Sequence, residues 1–166
     1  MTIKRWLKHL LLPGWWVRRV FRGAALSAIE KAIGEAEKGH EGELRFVVEG
    51  PLPLAVLLHN PTARDRAIDV FSHLRVWDTA HNSGLLIYVQ LVDRRVEFVA
   101  DRGVAARVPQ AQWDALCREM EDSFRHGAYR RGALEAVERA GHLLATHFPP
   151  RTRNPNELPD RPVVLR

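Results

Sequence analysis

Cysteine is nearly absent from the chain, because Cys117 is the only one among 166 residues. An intramolecular disulfide is therefore excluded. A chain of this length buries about 70% of its unfolded surface and needs neither disulfides nor a structural metal to hold its core. Cys117 shares a helical apolar spacing with Trp113, Leu116, Met120 and Phe124. We predict a buried, inert thiol, because a reactive thiolate needs an accessible, electropositive setting.

Long apolar segments are also missing. The longest uninterrupted apolar stretch of the N-terminal region, residues 10–17, includes Pro13 and Gly14. It is far shorter than the roughly 18 to 20 residues that cross a bilayer. A secretory signal is not predicted either, because no continuous apolar centre precedes a small-residue cleavage site. The sequence favours a cytoplasmic location, and peripheral contact with the inner membrane is compatible with it.

The common catalytic motifs do not occur. The eight histidines show no His-Glu-x-x-His spacing, which excludes a zincin-type site. The chain has no Gly-x-Ser-x-Gly elbow, Walker loop or dinucleotide glycine fingerprint. Ser83 lies near His81 without an identifiable orienting acid, so a catalytic triad is not predicted.

Acidic residues are absent from residues 1–22, which carry six cationic side chains, while the rest of the chain sums to −1. The net charge of +5 thus describes a neutral body with one basic arm, and we predict no nucleic-acid partner. Basic residues among Trp and Leu suit an interfacial segment on anionic lipid. The alternative is that the aromatic side chains pack on the domain or on its partner. The arm residues singled out for membrane or partner contact are Lys4, Arg5, Trp6, Lys8, Trp15, Trp16, Arg18 and Arg19.

Apolar periodicity predicts the secondary structure. Helices are predicted at about residues 24–37, 62–77, 110–125 and 129–147. Strands are predicted at residues 43–48, 85–92 and 95–99, whereas residues 54–58 fit a strand or a helix. Asp93 and Arg94 form a tight turn between the last two strands. The order of elements predicts an α/β fold, a three-layer α/β/α sandwich with a mixed, mostly buried sheet.

Three parts of the chain follow from this pattern: a basic amphiphilic arm at 1–22, an α/β domain at 23–148 and an extended tail at 149–166. The tail contains five prolines, which prevent a helix, and ends near the apolar triplet at 163–165. Such a segment can add along a sheet edge or fill a groove. We expect the tail to be ordered against the body and to contact the helix at 129–147.

Several short motifs between residues 26 and 148 resemble the TPM domain family. They are Leu26-Ser27 before Glu30, Glu43 ahead of a strand, Phe71, the run Asn82-x-Gly84-Leu85-Leu86, and the strand, Asp-Arg turn and strand that follow. Residues 154–162 are similar to the ending of short bacterial TPM proteins, which tend to be encoded beside LemA-type membrane proteins and longer TPM proteins. The resemblance implies a role at the cell envelope with a membrane protein of this kind as partner.

The same resemblance implies a phosphatase-like domain, and some members bind calcium through an acidic cluster at one end of the sheet. This chain departs from the family pattern, because Arg18, Arg19 and Arg22 stand where members have an Asp-containing loop before Leu26. Calcium uses six to eight oxygen ligands, so the loss of a carboxylate and the added cations weaken a site of this kind.

Acidic and polar side chains flank the predicted hairpin. Asp78, His81 and Asn82 precede its first strand, Asp93 lies in its turn, and Asp101 follows its second strand. These five are the candidate ligands for a calcium or magnesium ion. Asp78 and Asp101 are also the candidate catalytic residues of a metal-dependent phosphomonoester hydrolase.

A purely structural role for the two aspartates is the alternative. Asp78 can end a helix, and Asp101 can pair with Arg102 or Arg107 in a loop. Because no nucleophile with a base is visible, the sequence favours a non-enzymatic interaction or adaptor domain that requires no cofactor. The weak metal-dependent hydrolase is the second hypothesis, and the sequence does not specify an oligomeric state.

Overall fold

The computed structural model describes residues 3–150 and 155–165. The helices are α1 Ile3–Leu11, α2 Trp15–Val20, α3 Gly23–Glu37, α4 Leu54–Leu58, α5 Ala63–His73, α6 Arg102–Ala105, α7 Gln110–Arg125 and α8 Tyr129–His147. The strands are β1 Glu43–Glu49, β2 Gly84–Gln90, β3 Arg95–Ala100 and β4 Val163–Leu165.

The four strands form one mixed sheet in the order β3-β2-β1-β4. β1 pairs in parallel with β2 from Glu43↔Gly84 to Glu49↔Gln90, and β4 adds in parallel to the other side of β1. β3 is antiparallel to β2 and lies at the edge of the sheet. Every residue of β2 is buried, as its apolar run predicted.

Alternation along the strands separates two apolar layers, one on each face of the sheet. Phe46, Ile87 and Phe98 belong to the core that contains buried residues of α3, α7 and α8. Val47 and Leu86 belong to the second core, which contains residues of α5 and Leu158 of the tail. The predicted α/β/α sandwich with a mostly buried sheet is confirmed.

The connection between β2 and β3 is longer than the two-residue turn predicted. β2 ends at Gln90, and residues 91–94 form the turn. The Gln90 amide donates to the Gly50 carbonyl at 2.8 Å, and its oxygen accepts from the Val92 N–H at 2.8 Å. Arg94 has a φ of 55°. The side chain of Gln90, the last residue of β2, thus stabilises a turn that is two residues longer than predicted.

The chain between β1 and β2 contains α4 and α5, so the ambiguous residues 54–58 are helical. Thr62 begins α5 with a reciprocal capping box to Asp65. α5 ends at His73, before the predicted end at residue 77. The Val76 N–H closes onto the Phe71 carbonyl at 3.0 Å, and Arg75 has a φ of 50°, which a helix does not allow.

The described part of the tail, residues 155–165, is extended and packs on the body. β4 pairs with β1 from Val47↔Val163 to Glu49↔Leu165. The Leu158 N–H donates to Glu43 at 3.0 Å, and Arg45 donates to the carbonyls of Pro159 and Arg161. The tail therefore adds along the edge of β1, one of the two modes considered for it, because that edge offers unpaired backbone groups. The contact expected with the helix at 129–147 stays a prediction. Residues 151–154, which the prediction also covered, lie outside the described residues.

The N-terminal region is part of the folded unit. Val17 on α2 is buried, and Phe21 at its C-terminal end lies 6.2 Å from Phe46 and 6.1 Å from Phe124 between ring centroids. An added Cβ at Gly50 would lie 2.4 Å from Val17 Cγ2, so α2 packs directly on the residue that follows β1. Packing on the domain, the alternative considered for the arm, thus applies to α2.

Candidate functional site

α1 turns its polar face toward the protein and its apolar face toward solvent. Arg5 and His9, four residues apart and therefore on one helical face, contact the body. The residues on the outer face are Ile3, Leu7, Leu10 and Leu11, which are 80%, 49%, 57% and 76% exposed. A surface helix of a globular domain normally buries its apolar stripe. In α1, by contrast, the polar face contacts the body and the apolar face is exposed to solvent.

Asp93 fixes this orientation from the turn between β2 and β3. Its Oδ2 accepts from Arg5 Nε at 2.9 Å, and its Oδ1 lies 3.2 Å from His9 Nε2. Arg5 also donates to Asn60 Oδ1 at 2.8 Å and to the Pro61 carbonyl at 2.9 Å. Each of the three guanidinium nitrogens of Arg5 thus donates to an acceptor on the body.

Hydrogen bonds also assign the tautomer of His9. The Leu52 N–H donates to His9 Nδ1 at 3.0 Å, so Nδ1 is unprotonated and Nε2 carries the proton that it donates to Asp93. Burial alone would raise the pKa of Asp93, but the hydrogen bonds from His9 and Arg5 hold it below its ordinary value. The carboxylate is therefore charged at neutral pH.

Cationic side chains are exposed on both N-terminal helices. Lys4 and Lys8 are exposed on α1, and Arg18 and Arg19 are exposed on α2. Trp15, the first residue of α2, is 60% exposed. Five of the eight predicted arm residues are therefore available to a partner.

The other three arm residues have contacts within the chain. Arg5, which we predicted to face a membrane or partner, binds Asp93 instead. Trp6 is half-buried, and Trp16 packs partly against the main core. Part of the arm thus packs on the domain, whereas its other side chains are exposed and accessible to a membrane or a partner.

α4 adds two exposed leucines that the sequence did not single out. Leu54 and Leu58 are 55% and 64% exposed, whereas Leu57 is fully buried. The spacing of four between the exposed leucines was the available signal, since residues i and i+4 share a helical face. Their exposure could not be read from it, because core-facing leucines have the same spacing.

Two of the five candidate metal ligands lie together at the opposite end of the sheet. The Asp101 N–H donates to the Gly84 carbonyl at 2.9 Å. Arg102 donates from its backbone to Asp101 Oδ1 at 2.7 Å and from its side chain to Asn82 Oδ1 at 2.8 Å. Asp101 is the N-cap of α6. The structural alternative had Asp101 pair with Arg102 or Arg107 in a loop, whereas its carboxylate accepts from the Arg102 backbone N–H at the start of a helix.

The remaining candidates do not complete this cluster. The Asp78 side chain is 59% exposed and lies 4.0 Å from Arg75, and His81 is also exposed. Asp93 lies in the turn before β3, whereas Asp101 follows β3, so they are about 20 Å apart along the strand. The five residues therefore do not form a single site, because the hairpin places its turn and its two ends on opposite sides of the domain.

The residues around Asp101 do not fit a calcium or magnesium ion. Asp101 Oδ2 is buried, and in the described chain no hydrogen bond reaches it. A single free carboxylate oxygen is far from the six or more oxygens that calcium uses. The cation Arg102 already binds the Asn82 oxygen. Among residues 3–150 and 155–165, no three His, Cys, Asp or Glu side chains converge as a metal ion requires.

Cys117 lies partly buried on α7. Burial raises the pKa of its thiol to about 12. The thiol is protonated at neutral pH, in agreement with the predicted lack of reactivity.

Comparison with known proteins identifies the family. The sequence profile of the TPM domain matches residues 18–143. The chain belongs to the TPM domain family. α1 and its outward apolar face precede the matched residues of the TPM domain. No curated protein sequence matches the chain.

Two solved structures share this TPM domain fold. The NMR structure of the BA42 protein from the psychrophilic bacterium Bizionia argentinensis is 30% identical, with a TM-score of 0.74, and the alignment covers 85% of this chain and 92% of that chain. The NMR structure of the N-terminal domain of a protein from P. gingivalis is 19% identical, with a TM-score of 0.61, covering 86% of this chain and 96% of that chain. In the described part of the TPM domain protein, no helix is long and apolar enough to span a membrane.

Proposed function

We propose that this TPM domain protein is a non-enzymatic interaction module that attaches through α1 to an anionic membrane surface. The observation that carries the proposal is the outward apolar face of α1, formed by Ile3, Leu7, Leu10 and Leu11. A contiguous apolar patch rimmed by polar residues marks an interaction site on a folded domain. Asp93 contributes by holding the helix in this orientation before any partner is bound.

Charge favours a lipid surface as the partner. Lys4, Lys8, Arg18 and Arg19 are exposed on the two helices. Each cation near an anionic leaflet contributes about 1 kcal/mol, and partial burial of each exposed leucine contributes about another 1 kcal/mol. Together these terms support reversible, salt-sensitive attachment of a helix that lies in the interface plane.

The proposed place of action is the cytoplasmic face of the bacterial inner membrane. There the domain serves as an adaptor for a membrane protein, and the family resemblance implies a LemA-type protein or a longer TPM protein. Attachment through α1 leaves the helices α7 and α8 and the loop at Asp101 open to such a partner.

Vesicle co-sedimentation tests the attachment. We expect wild-type protein to bind phosphatidylcholine vesicles that contain phosphatidylglycerol, to bind pure phosphatidylcholine weakly, and to dissociate as salt is raised. The double variant Leu7→Ser/Leu11→Ser removes apolar area from α1 without touching the contacts of Arg5 and His9. Its binding should fall at least tenfold. Exposed Ile68 on α5 provides the control Ile68→Ser, which should bind like wild type.

Equal binding of wild type and Leu7→Ser/Leu11→Ser at low salt would contradict the proposal. Binding to native inner membranes, but not to protein-free anionic vesicles, would assign the surface of α1 to a protein partner instead of lipid.

The alternative is a weak metal-dependent phosphomonoester hydrolase, which the description of the family as phosphatase-like suggests. Its test is turnover of p-nitrophenyl phosphate with calcium, magnesium or manganese. Turnover that is lost on Asp101→Asn or Asp78→Asn, in variants that keep the wild-type melting temperature, would favour the hydrolase and reject the non-enzymatic module. We expect no turnover above a buffer blank.

A further inference from the structure

We infer that α4 is a second membrane-contact element, so that Leu54 and Leu58 insert beside α1 and the bilayer lies against one end of the sheet. The inference rests on the proposed attachment of α1. It adds a second membrane contact and a fixed orientation of the domain on the bilayer. Attachment through α1 alone implies neither of them.

The backbone on both sides of α4 is bonded to α1. Before α4, the Leu52 N–H donates to His9 at 3.0 Å. After α4, Asn60 and Pro61 accept from Arg5 at 2.8 Å and 2.9 Å. Because both ends of this short segment are tied to the inward face of α1, α4 lies beside α1 at the same end of the domain.

α4 is apolar on both its inner and its outer side. Leu57 is fully buried and anchors the helix to the body, whereas Leu54 and Leu58 are 55% and 64% exposed. A helix that is apolar all round is normally buried on every side. In the described chain no other element covers these two leucines, so a partner is needed to remove them from water.

The surrounding charges favour lipid over a second copy of the chain. Lys4 and Lys8 are exposed on the neighbouring helix α1. Asp93, the acid nearest to α1, is already engaged by Arg5 and His9. If two copies of the chain associated through this surface, their cationic side chains would repel each other. Anionic lipid headgroups would instead attract these side chains.

The position of α1 and α4 defines which way the domain faces. α4 follows the C-terminal end of β1, and the Asp93 turn follows the C-terminal end of β2. Asp78 and Asp101 lie at the other end of β2 and β3, about 20 Å away. With α1 and α4 in the interface, the Asp78 end projects away from the membrane.

Matched double variants test the second contact. Leu54→Ser/Leu58→Ser removes the outer apolar side of α4 and keeps Leu57. Ile68→Ser/Trp77→Ser removes two residues of similar exposure, 45% and 48%, from α5 and the turn after it. We expect the α4 variant to bind phosphatidylglycerol-containing vesicles about tenfold more weakly. The control should bind within twofold of wild type.

A fluorescence measurement tests the orientation. In a Cys117→Ala background, an environment-sensitive dye is attached through Leu58→Cys or through Asp78→Cys. Upon vesicle addition, the dye at position 58 should shift to the blue and be quenched by spin-labelled lipid. The dye at position 78 should do neither.

The outcomes separate this inference from the proposed function. Loss of binding in Leu7→Ser/Leu11→Ser but not in Leu54→Ser/Leu58→Ser, with both dyes unshifted, would overturn the role of α4 and leave attachment through α1. Undiminished binding of both variants would reject both. A dye at position 58 that is already shielded without vesicles, in a protein that is dimeric by light scattering, would show that a second copy covers α4 and would also overturn the inference.

Discussion

His9 and Asp93 are 84 positions apart in the sequence, yet His9 Nε2 lies 3.2 Å from Asp93 Oδ1. Asp93 reaches the same helix a second time through Arg5, at 2.9 Å. One carboxylate in a hairpin turn thereby holds the polar face of α1 against the body. The apolar face of that helix is left in solvent as a direct consequence.

Replacement of Asp93 should release α1. Asp93→Asn keeps the side-chain shape but removes the charge that Arg5 and His9 bind. Hydrogen bonds to charged groups contribute about 1.5 to 3 kcal/mol each, and Asn retains part of them, so we expect unfolding free energy to fall by about 2 kcal/mol. Hydrogen exchange should show the larger effect, with faster exchange at residues 5–11. The exposed Asp122 supplies a control, and Asp122→Asn should leave exchange in α1 unchanged.

Glu37 should make stability fall with rising pH. Burial, with a smaller contribution from the nearby Glu43 and Asp160, raises its pKa from 4.5 to about 9. Between these values the folded state retains a proton that the unfolded chain has released, so the free energy of unfolding decreases as pH rises. Glu37→Gln mimics the neutral acid and should flatten this slope in thermal unfolding, with a higher melting temperature than wild type at about pH 8.

The matched control for Glu37 is Glu35, two residues away on α3. The Glu35 side chain is 60% exposed and pairs with Lys38 at 2.8 Å. Glu35→Gln should keep the wild-type pH dependence. An identical pH dependence of the melting temperature in wild type and Glu37→Gln, from about pH 5 to about pH 9, would show that Glu37 is not protonated in the folded protein.

Gly84 should tolerate no side chain. A Cβ added there would lie 1.9 Å from the Val76 carbonyl oxygen, which is backbone and cannot move aside cheaply. We expect Gly84→Ala to lower the free energy of unfolding in urea by about 2 kcal/mol or more. Gly14 provides the comparison, because it has right-handed helical angles and an added Cβ meets nothing within 4 Å. Gly14→Ala should be neutral or slightly stabilising, and equal losses at both glycines would contradict the steric explanation.

Deletion of residues 155–166 should destabilise the domain and expose an edge of the sheet. β4 covers β1 from Val47 to Glu49, and Leu158 is buried in the smaller core. An uncovered β1 edge offers unpaired backbone groups to other chains. We expect a lower melting temperature and self-association by light scattering. Unchanged values for both would mean that the tail contributes nothing to the fold.

Local sequence pattern determined much of the architecture. The unbroken apolar run of β2 predicted a strand buried on both faces, and the alternation at Val96 and Phe98 predicted an edge strand. Both signals depend only on neighbouring residues, which is why they could be read without the structure. The run from Asn82 to Leu86 carried the family resemblance, and its glycine is explained by the close approach of the Val76 carbonyl.

The candidate metal site shows where that reasoning stops. Asp78, Asp93 and Asp101 each flank the same hairpin, so their proximity in sequence indicated a shared site. The hairpin geometry puts Asp93 at one end and Asp101 at the other. Of the other candidate ligands, Asn82 is linked to Asp101 through Arg102, which donates to both side chains. The sequence shows whether a residue lies before, within or after a hairpin. It does not show how far apart the side chains are, because that distance depends on the folded geometry.

The sequence by itself determined the fold class, the family and the amphipathic, cationic character of α1. Only the tertiary structure decided which way α1 faces, because the periodicity of Ile3, Leu7 and Leu11 is the same whether those residues point into the core or into solvent. That choice is made by Asp93, Leu52 and Asn60, which come from distant segments of the chain. Contacts between such segments arise when the sheet assembles, and no local pattern encodes them.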